Sequence, residues 1–217
     1  MEKVSVIIPA YNEGQYIGKV IDKIRESAIE AEIVVVDNCS TDNTFEVAKS
    51  KQVISVYCGN RGKGYAMEEG LKHATGDIIV FMDGDLQIFS KDIVSLMVNP
   101  IINENIEFTK SAFIREGGRV TELVAKPLME LTFGEKANFK QPLSGIIAGK
   151  IDVFKNITLE KDYGVDVGIL LDVIKLNYRI QEVDIGKIEN ASQPWEKLSK
   201  MSKEVAAAIL KRANYIK

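Results

Sequence analysis

The chain has 217 residues, which is long enough for one well-buried α/β domain and short for two. Hydrophobic residues make up 46% and charged residues 27% of it, a balance that is typical of folded globular proteins and excludes collagen-like and disordered classes. With 28 basic and 31 acidic side chains the net charge is -3, so no overall charge favours nucleic acid, and phosphate recognition must come from a local site.

The first half of the chain alternates between strand and helix patterns. Short apolar, β-branched runs occupy 4–8, 33–36, 53–57 and 78–82. The segments between and after them carry helix signals at 17–24, 41–50 and 92–97, the last capped by Ser90. This alternation predicts a Rossmann-like α/β fold, in which helices flank a mixed, mostly parallel sheet and all four runs are buried on both faces.

The second half, after Pro100, is less regular. Helices are predicted over 120–131, 165–176 and 196–212, and strands over 146–148 and 179–185. The last helix carries an apolar face made of Leu198, Met201, Val205 and Ile209. Because no repeat or linker interrupts the chain, we expect residues 1–217 to form one domain with halves 1–99 and 100–217.

The cysteines and apolar runs indicate where the protein works. Cys39 and Cys58 do not make a disulfide framework or a CxxC pair, which favours a reducing compartment. The apolar run near the N-terminus is too short for a signal peptide, and the longest runs, 78–82 and 206–210, fall far short of the roughly 20 residues that span a bilayer. We therefore expect a cytoplasmic protein without a transmembrane segment.

The most informative motif is Asp83-Gly84-Asp85, which directly follows the fourth apolar run. The carboxyl ends of parallel strands form the edge at which open α/β sheets bind ligands. Two carboxylates one residue apart can hold a hard divalent cation there, and such a cation can bridge two phosphates. A solvated acidic turn is the alternative, and the position after the fourth strand favours the metal.

Two further loops reach the same edge. Asp37 ends the second run, and the first run leads into Pro9, Ala10, Tyr11, Asn12 and Glu13. The Asp37 carboxylate can accept a hydrogen bond from a nucleobase imide or a ribose hydroxyl, while the backbone of 9–13 forms a wall beside the base. Helix capping is the alternative for Asp37, and an interaction with a helix dipole is the alternative for Glu13.

A glycine-rich loop, 59–64, follows the third run and opens a helix. Its glycines let the backbone approach an anion, and Arg61 and Lys63 add positive charge at a helix N-terminus that already favours phosphate. It is not a Walker loop, because GxxxxGK[ST] is absent, and a plain glycine-rich connection is the alternative. Together the loops predict a base pocket, a diphosphate site and a metal at one sheet edge.

The order and spacing of these motifs resemble a known family. Residues 3–90 resemble the nucleotide-sugar-binding half of GT-A fold glycosyltransferases related to the dolichyl-phosphate mannosyltransferases. The resemblance lies in the motifs PAYNE, VVVDNCSTDNT, GNRGKGYA and FMDGDL. Further along, GGRVTEL, QPLSG and YGVDVG look like the acceptor-side motifs of glucosyl-3-phosphoglycerate synthases and their mannosyl-transferring relatives. The resemblance then covers nearly the whole chain.

The resemblance implies a GT-A fold and a metal-dependent hexosyltransferase. The donor would be a nucleoside diphosphate sugar of the UDP-glucose or GDP-mannose type, and the acceptor 3-phosphoglycerate or a similar small anion, with retention at the anomeric carbon. Residues 1–99 would bind the donor and 100–217 the acceptor. The cofactor would be Mg²⁺ or Mn²⁺, and a homodimer is expected from the family and from the apolar face of the last helix.

The predicted site residues combine the loops with the resemblance. The donor-binding residues are Pro9, Ala10, Tyr11, Asn12, Glu13, Asp37, Lys63, Asp83, Gly84, Asp85, Leu143 and Gly145. The resemblance implies that backbone groups from Leu143 to Gly145 contact the sugar hydroxyls. The acceptor-binding residues are Gly118, Arg119, Thr121 and Ser192. Arg119 in a glycine-rich turn before Thr121 can form a cradle for a phosphate or carboxylate from a guanidinium, a hydroxyl and free backbone amides, although a surface arginine is the alternative.

Asp166, Asp85 and Lys63 are the predicted catalytic residues. A metal on Asp85, together with Lys63, would neutralise the leaving diphosphate. Asp166 would orient the attacking hydroxyl or stabilise positive charge on the sugar, and a polar helix start is the alternative. The family carries a late histidine as a further metal ligand, whereas this chain has Asn190 there, with Glu189 as a possible substitute.

Two other functions remain open at this point. The acceptor could be a polyprenyl or dolichyl phosphate, with the last helix on a bilayer, because the chain from Lys187 onward carries seven Lys or Arg and three Glu. A chain of another class would be a non-catalytic nucleotide-sugar binder, which the missing histidine keeps open.

Overall fold

Within the part of the chain that the structure describes, nine strands make up two sheets. The computed structural model describes residues 2–114, 118–190 and 195–216. Its strands are β1 (Val4–Ala10), β2 (Ala31–Asp37), β3 (Ile54–Tyr57), β4 (Ile78–Phe81), β5 (Leu86–Ile88), β6 (Phe108–Ile114), β7 (Ile147–Lys150), β8 (Ile180–Lys187) and β9 (Glu189–Asn190). Seven of them form one sheet in the order β3-β2-β1-β4-β7-β6-β8, and β5 pairs with β9 in a small ribbon.

The sheet is mixed and mostly parallel, as the sequence predicts. Strands β3, β2, β1 and β4 run parallel, and the register of Ala10 with Asp37 and of Asp37 with Tyr57 brings three strand ends to one edge. Strand β7 is antiparallel to β4 and β6, while β8 returns parallel to β6. The loops that follow β1, β2, β3 and β4 therefore share one edge of the sheet.

Helices cover both faces of the sheet. They are α1 (Ile17–Arg25), α2 (Thr44–Ser50), α3 (Lys63–His73), α4 (Ile93–Asn103), α5 (Lys126–Phe133), α6 (Ile151–Lys155), α7 (Val165–Lys175) and α8 (Trp195–Arg212). One apolar core packs α1 and α4 against Val6 and Ile8 of β1, and the other packs α3, α7 and α8 against Ile7. Strand β1 is thus buried on both faces, because successive side chains alternate between the two cores.

Two predictions for the first half need correction. The third run is not buried on both faces, since Ile54 and Tyr57 of β3 are exposed. Strand β3 is the last in the sheet and pairs only with β2, so less of it is covered. The helix expected from 41–42 begins at Thr44, because the Asp42 carboxylate accepts the Thr44 backbone N–H at 3.0 Å and holds the preceding turn.

The second half contains elements that the hydrophobic pattern does not predict. Strand β6 carries Thr109, Lys110 and Ser111 at its centre, and all three are fully buried. Polar residues in a buried strand remove the apolar signal on which strand prediction depends. The helix predicted over 120–131 starts with a π-helical turn, Thr121–Ala125, before α5 continues to Phe133.

Helix α8 packs its apolar face against its own chain. Val205 and Ile209 are fully buried in the core shared with α7, and Leu198 and Met201 pack against that core. The polyprenyl hypothesis requires this face to lie on a bilayer. Because the face is buried, neither a bilayer nor a second copy of the chain can contact it. Among residues 2–114, 118–190 and 195–216, no helix is long and apolar enough to cross a membrane.

Arg212 fixes the C-terminal end of α8. Its guanidinium donates to both carboxylate oxygens of Asp172 on α7 at 2.8 Å and to Glu160 Oε1 at 2.8 Å. Glu160 lies in the loop that packs on the first turn of α3, where the Gly64 backbone N–H donates to the Lys161 carbonyl at 2.9 Å. A Cβ on Gly64 would lie 1.6 Å from the Glu160 carbonyl oxygen, so the close packing requires glycine.

We expect Arg212→Met to lower the free energy of unfolding by about 2–3 kcal/mol, because it leaves the partly buried Asp172 without its cation and removes the closer of the two cations that contact Glu160. Urea denaturation followed by circular dichroism measures this. The matched control is Lys211→Met, which removes an exposed ammonium 3.3 Å from the same Glu160 oxygen and should cost less than about 0.5 kcal/mol. Equal losses in the two variants would contradict the assigned role of Arg212.

Candidate active site

Asn38 joins two of the loops at the sheet edge. Its Oδ1 accepts the Gly62 backbone N–H at 2.7 Å, and its Nδ2 donates to the Asn60 carbonyl at 2.7 Å. Gly62 has a φ of 149°, and a Cβ there would lie 2.4 Å from the Lys161 carbonyl oxygen. The glycine-rich loop is therefore held from two sides, which fixes the start of α3 and the direction of Lys63.

The predicted base-binding loops contact each other directly. Asn12, in the left-handed region with a φ of 55°, accepts the Thr41 backbone N–H on Oδ1 at 2.8 Å. The guanidinium of Arg61 lies 4.5 Å from the centre of the Tyr11 ring, a cation-π contact. Asp37 is buried at the end of β2, and its Oδ2 accepts the Ser40 N–H at 3.3 Å.

Pro9 and Ala10, at the end of β1, lie beside Val36 and Asp37 of β2. The start of the first loop therefore lies beside Asp37, and Asn12 contacts the loop that follows Asp37.

Lys63 lies between two carboxylates at the centre of the site. Its Nζ is 2.9 Å from Asp83 Oδ1 and 2.8 Å from Asp166 Oδ2. Asp83 follows β4, and Asp166 lies in the first turn of α7, where a helix N-terminus favours negative charge. The ion pairs join the first half of the chain to the second, and they bring together one predicted residue from each of the DGD motif, the glycine-rich loop and YGVDVG.

Burial and charge set the protonation of this group. Burial alone would lower the pKa of Lys63, but Asp166 and Asp83 raise it well above its usual value, so the ammonium stays charged. Burial raises the pKa of Asp166, and Lys63 opposes this effect. At neutral pH the geometry corresponds to one cation shared by two carboxylates.

Acidic side chains gather next to Lys63. Burial raises the pKa of Glu13 well above its usual value, and the nearby Asp85 and Asp83 raise it further. A Cβ on Gly84 would lie 2.2 Å from Glu13 Oε2, so the turn passes close to this carboxylate. Glu13 therefore points into the acidic group rather than serving only the start of α1.

These oxygens fit a hard divalent cation. Carboxylates are the ligands that Mg²⁺ and Mn²⁺ prefer, and a cation would relieve the repulsion that raises the pKa of Glu13. Among the described residues, no three His, Cys, Asp or Glu side chains are arranged to hold a metal by themselves. A cation on Asp85 would thus need ligands from a bound diphosphate or water to complete its coordination.

The predicted metal ligand Asn190 remains a prediction. The backbone pairing of β5 with β9 sets Asn190 opposite Leu86, next to Asp85 in sequence, but its side chain lies outside the described part of the structure. Glu189, the possible substitute, lies opposite Ile88, and its carboxylate pairs with Lys187 at 2.7 Å. The only histidine, His73, is at the end of α3, where it contacts Glu69.

The QPLSG segment lies against the ion pairs. A Cβ on Gly145 would be 2.3 Å from Asp83 Oδ1 and 2.4 Å from Lys63 Nζ, so only glycine fits at this position. Leu143 is 9% exposed, and Ser144 is held by the side chains of Lys110 and Ser111. The structure therefore brings the two predicted sugar contacts, Leu143 and Gly145, to the donor side of the site.

The acceptor residues lie at the start of the π-helical turn. Gly118 has a φ of 86°, and its carbonyl accepts the Glu122 N–H at 3.0 Å. Arg119 is exposed, with its guanidinium 5.8 Å from the centre of the Trp195 ring. Thr121 is 2% exposed. Ser192 lies outside the described residues.

Four buried side-chain oxygens have no hydrogen-bond partner in the described part of the chain. They are Glu13 Oε2, Asp37 Oδ1, Thr121 Oγ1 and Asp166 Oδ1. Buried polar atoms without partners are rare in folded proteins because each carries a desolvation cost. All four belong to residues that the sequence assigns to the site.

Sequence reasoning misses three residues of this region, namely Asn38, Lys110 and Trp195. Asn38 is adjacent to Asp37, and its side-chain amide could have been tested as a link between loops. A lone lysine in an unpredicted strand gives no signal, and Trp195 precedes the predicted last helix, 196–212, without belonging to any motif.

A family model named Glycosyl transferase family 2 matches residues 5–156. The chain is 32% identical to the glucosyl-3-phosphoglycerate synthase of Petrotoga mobilis, over 97% of this chain and 73% of the relative. It is 33% identical to the synthase of Mycobacterium tuberculosis, over 96% of this chain and 73% of that protein. The dolichol-phosphate mannosyltransferase of Pyrococcus furiosus is 31% identical over 72% of this chain and 49% of its own length.

Solved structures agree with these similarities. The crystal structure of the Mycobacterium tuberculosis synthase with Mn²⁺, UDP and glucosyl-3-phosphoglycerate has a TM-score of 0.93 at 33% identity, covering 98% of this chain and 80% of that one. The structure with Mn²⁺, UDP-glucose and phosphoglyceric acid has a TM-score of 0.92 at 32% identity, with the same coverage. The predicted GT-A fold is confirmed, and this chain belongs to glycosyl transferase family 2.

Proposed function

We propose that this chain transfers glucose from UDP-glucose to 3-phosphoglycerate, with a divalent cation bound at Asp85. The observation that carries the proposal is a set of four buried oxygens without hydrogen-bond partners among the described residues, two of which, on Glu13 and Asp166, lie next to Lys63. A sugar nucleotide and a hydroxy acid supply imide, ribose, sugar and acceptor groups that can donate to such oxygens. Relatives of this chain are named glucosyl-3-phosphoglycerate synthases, and the Mycobacterium tuberculosis synthase has been solved with Mn²⁺, UDP-glucose and phosphoglyceric acid. The present chain spans nearly three quarters of the length of these relatives.

The donor would lie across the sheet edge. Asp37 Oδ1 would accept from the nucleobase or ribose, and the 9–13 backbone would form a wall beside the base. Lys63 would exchange one carboxylate partner for a phosphate oxygen of the diphosphate. A divalent cation supplies further positive charge that stabilises the leaving diphosphate.

Asp166 is the residue nearest to the chemistry in this proposal. One of its oxygens is held by Lys63, and the other, Oδ1, is buried and has no hydrogen-bond partner. That oxygen can accept a hydrogen bond from the acceptor hydroxyl and orient it, or it can stabilise positive charge on the sugar. Transfer with retention remains a prediction from the resemblance.

The acceptor would be bound at the Gly118 turn. Arg119 offers a guanidinium to a phosphate or carboxylate, and Thr121 Oγ1 is a buried hydroxyl that has no hydrogen-bond partner among the described residues. The contact of Arg119 with Trp195 holds the guanidinium near the start of α8. An acceptor with two anionic groups matches this positive turn better than it matches the acidic metal side.

The two other hypotheses lose support. A polyprenyl phosphate acceptor required α8 to place its apolar face on a bilayer, and that face is buried in the core. A non-catalytic binder has no need for the shared ion pairs of Lys63, which join Asp83 and Asp166 at bonding distance.

The cytoplasmic location and the homodimer remain predictions. Cys39 and Cys58 are free, which fits a reducing compartment. Because the apolar face of α8 is buried, a dimer would have to use another surface. Light scattering of the purified chain measures the oligomeric state.

The central experiment tests UDP-glucose, GDP-glucose and GDP-mannose against 3-phosphoglycerate, with the product identified by mass spectrometry. We expect glucosyl-3-phosphoglycerate with UDP-glucose in the presence of Mn²⁺ or Mg²⁺. A parallel reaction offers polyprenyl phosphate in vesicles. Product only in that reaction, or in none, would overturn the proposal.

Asp85→Asn should lower kcat at least about 100-fold, because the amide keeps the shape of the carboxylate but loses the charge that holds the cation. Treating the wild-type chain with EDTA should abolish turnover, and added Mn²⁺ should restore it. The matched control is Asp152→Asn on α6, whose side chain is 78% exposed at the opposite edge of the sheet. Full activity of Asp85→Asn would remove Asp85 from the metal site.

Arg119→Ala should raise KM for 3-phosphoglycerate roughly 10- to 100-fold, since a charge-assisted contact contributes about 1.5–3 kcal/mol. KM for UDP-glucose should stay within about twofold of wild type. Steady-state kinetics with each substrate varied in turn measures both values. Arg179→Ala, an exposed arginine paired with Glu107, is the control and should change neither. A change in KM for UDP-glucose alone would mean that Arg119 contacts the donor and not the acceptor.

A further inference from the structure

Lys110 is a buried lysine that the proposed mechanism does not use. It lies at the centre of β6, between β7 and β8, and its exposure is 0%. Burying an ammonium carries a large desolvation cost unless hydrogen bonds and opposite charges compensate. A lysine in this position therefore calls for a specific compensating interaction.

The compensating hydrogen bond is to the QPLSG segment. Lys110 Nζ donates to the Ser144 carbonyl at 2.7 Å. The next residue of the strand, Ser111, contacts Ser144 through their hydroxyls at 2.6 Å, and Ser144 Oγ accepts the Ile146 N–H at 3.1 Å. Ser144 is thus held at both its carbonyl and its hydroxyl.

This anchor reaches the reacting group through one residue. Gly145, which follows Ser144, lies against Lys63 Nζ and Asp83 Oδ1 so closely that a Cβ would clash with both. A displacement of the Ser144 carbonyl would therefore move the backbone that lies directly on the ion pairs.

The charges around Lys110 also connect it to the ion pairs of Lys63. Lys63, Asp83 and Asp166 together carry one excess negative charge, which a charged Lys110 balances. The pKa of Lys110 is lowered to about 8, because burial and Lys63 lower it by more than Asp166, Asp83 and Glu182 raise it. When a phosphate draws Lys63 away from a carboxylate, Lys110 is the remaining buried cation near Asp166.

We propose that Lys110 is a positioning residue for glucosyl transfer, which holds the Leu143–Gly145 loop against the donor sugar and keeps a positive charge beside Asp166. This inference rests on the proposed function for its substrate. It assigns Lys110 to the transferred sugar and not to the nucleotide, because its hydrogen bond is to the loop that carries the predicted sugar contacts.

The test compares Lys110→Met with Thr109→Val, a matched control on the same strand. Thr109 is equally buried, but its hydroxyl donates to the Met97 carbonyl of α4, away from the site. We expect Lys110→Met to lower kcat about 100-fold, as for a misplaced substrate, and Thr109→Val to stay within about twofold of wild type. Affinity for UDP with Mn²⁺, measured by calorimetry, should change less than about threefold in both variants.

Hydrogen exchange followed by mass spectrometry gives a readout that needs no substrate. The amides of 143–147 should exchange faster in Lys110→Met than in wild type, and should be unchanged in Thr109→Val. If the methionine variant fails to fold, Lys110→Leu takes its place, because leucine also removes both the hydrogen-bond donor and the charge.

The role of Lys110 would be overturned if the amides of 143–147 exchanged at the wild-type rate in Lys110→Met. It would also be overturned if this variant lost UDP affinity in parallel with kcat. Absence of glucosyl transfer by the wild-type chain would instead overturn the proposed function, and the exchange measurement would still decide whether Lys110 holds the loop.

Discussion

The ammonium of Lys63 between Asp83 and Asp166 is the interaction on which the site depends. Two carboxylates this close to each other, one of them 4% exposed, would repel each other without a cation between them. Lys63 can occupy that place only because α3 begins at a fixed point. Gly62 and Gly64 bring its first turn onto the backbone of residues 160–161, where any side chain would clash. The charge balance of the site therefore depends on one packing constraint, the close fit of α3 on residues 160–161.

That constraint extends to the far end of the chain. The loop beneath α3 is held by Glu160, and Glu160 is held by Arg212 at the end of α8. Arg212 also forms an ion pair with Asp172 on α7, the helix whose first turn carries Asp166. Both partners of the Lys63–Asp166 pair are thus fixed by one buried guanidinium. The terminal helix contributes to the active site by packing, although none of its buried residues belongs to the predicted site.

Local chemistry explains what could be predicted from the sequence. Strand runs, loop glycines and the DGD turn each carry their signal within a few neighbouring residues, so the parallel half of the sheet and the loops at its edge could be predicted. Contacts between distant residues could not. The partners of Lys63 are 20 and 103 positions away, and nothing local selects Asp166 over another acid. Strand β6 could not be predicted either. Lys110 and Ser111 serve the site, and as polar residues they remove the apolar pattern that marks a buried strand.

The polarity of the unpartnered atoms explains how a chain of net charge -3 can select a sugar nucleotide. All four are oxygens that can accept a hydrogen bond, and three are carboxylates. Such a surface repels a bare phosphate and attracts hydroxyl and imide donors, which a nucleoside and a hexose present in number. The negative groups of the substrates must then meet the few placed cations, Lys63 and Arg119, or a metal ion. A sugar nucleotide and a hydroxy acid together present both kinds of group, so the proposed pair of substrates can satisfy the hydrogen-bond acceptors and the cations of the site at the same time.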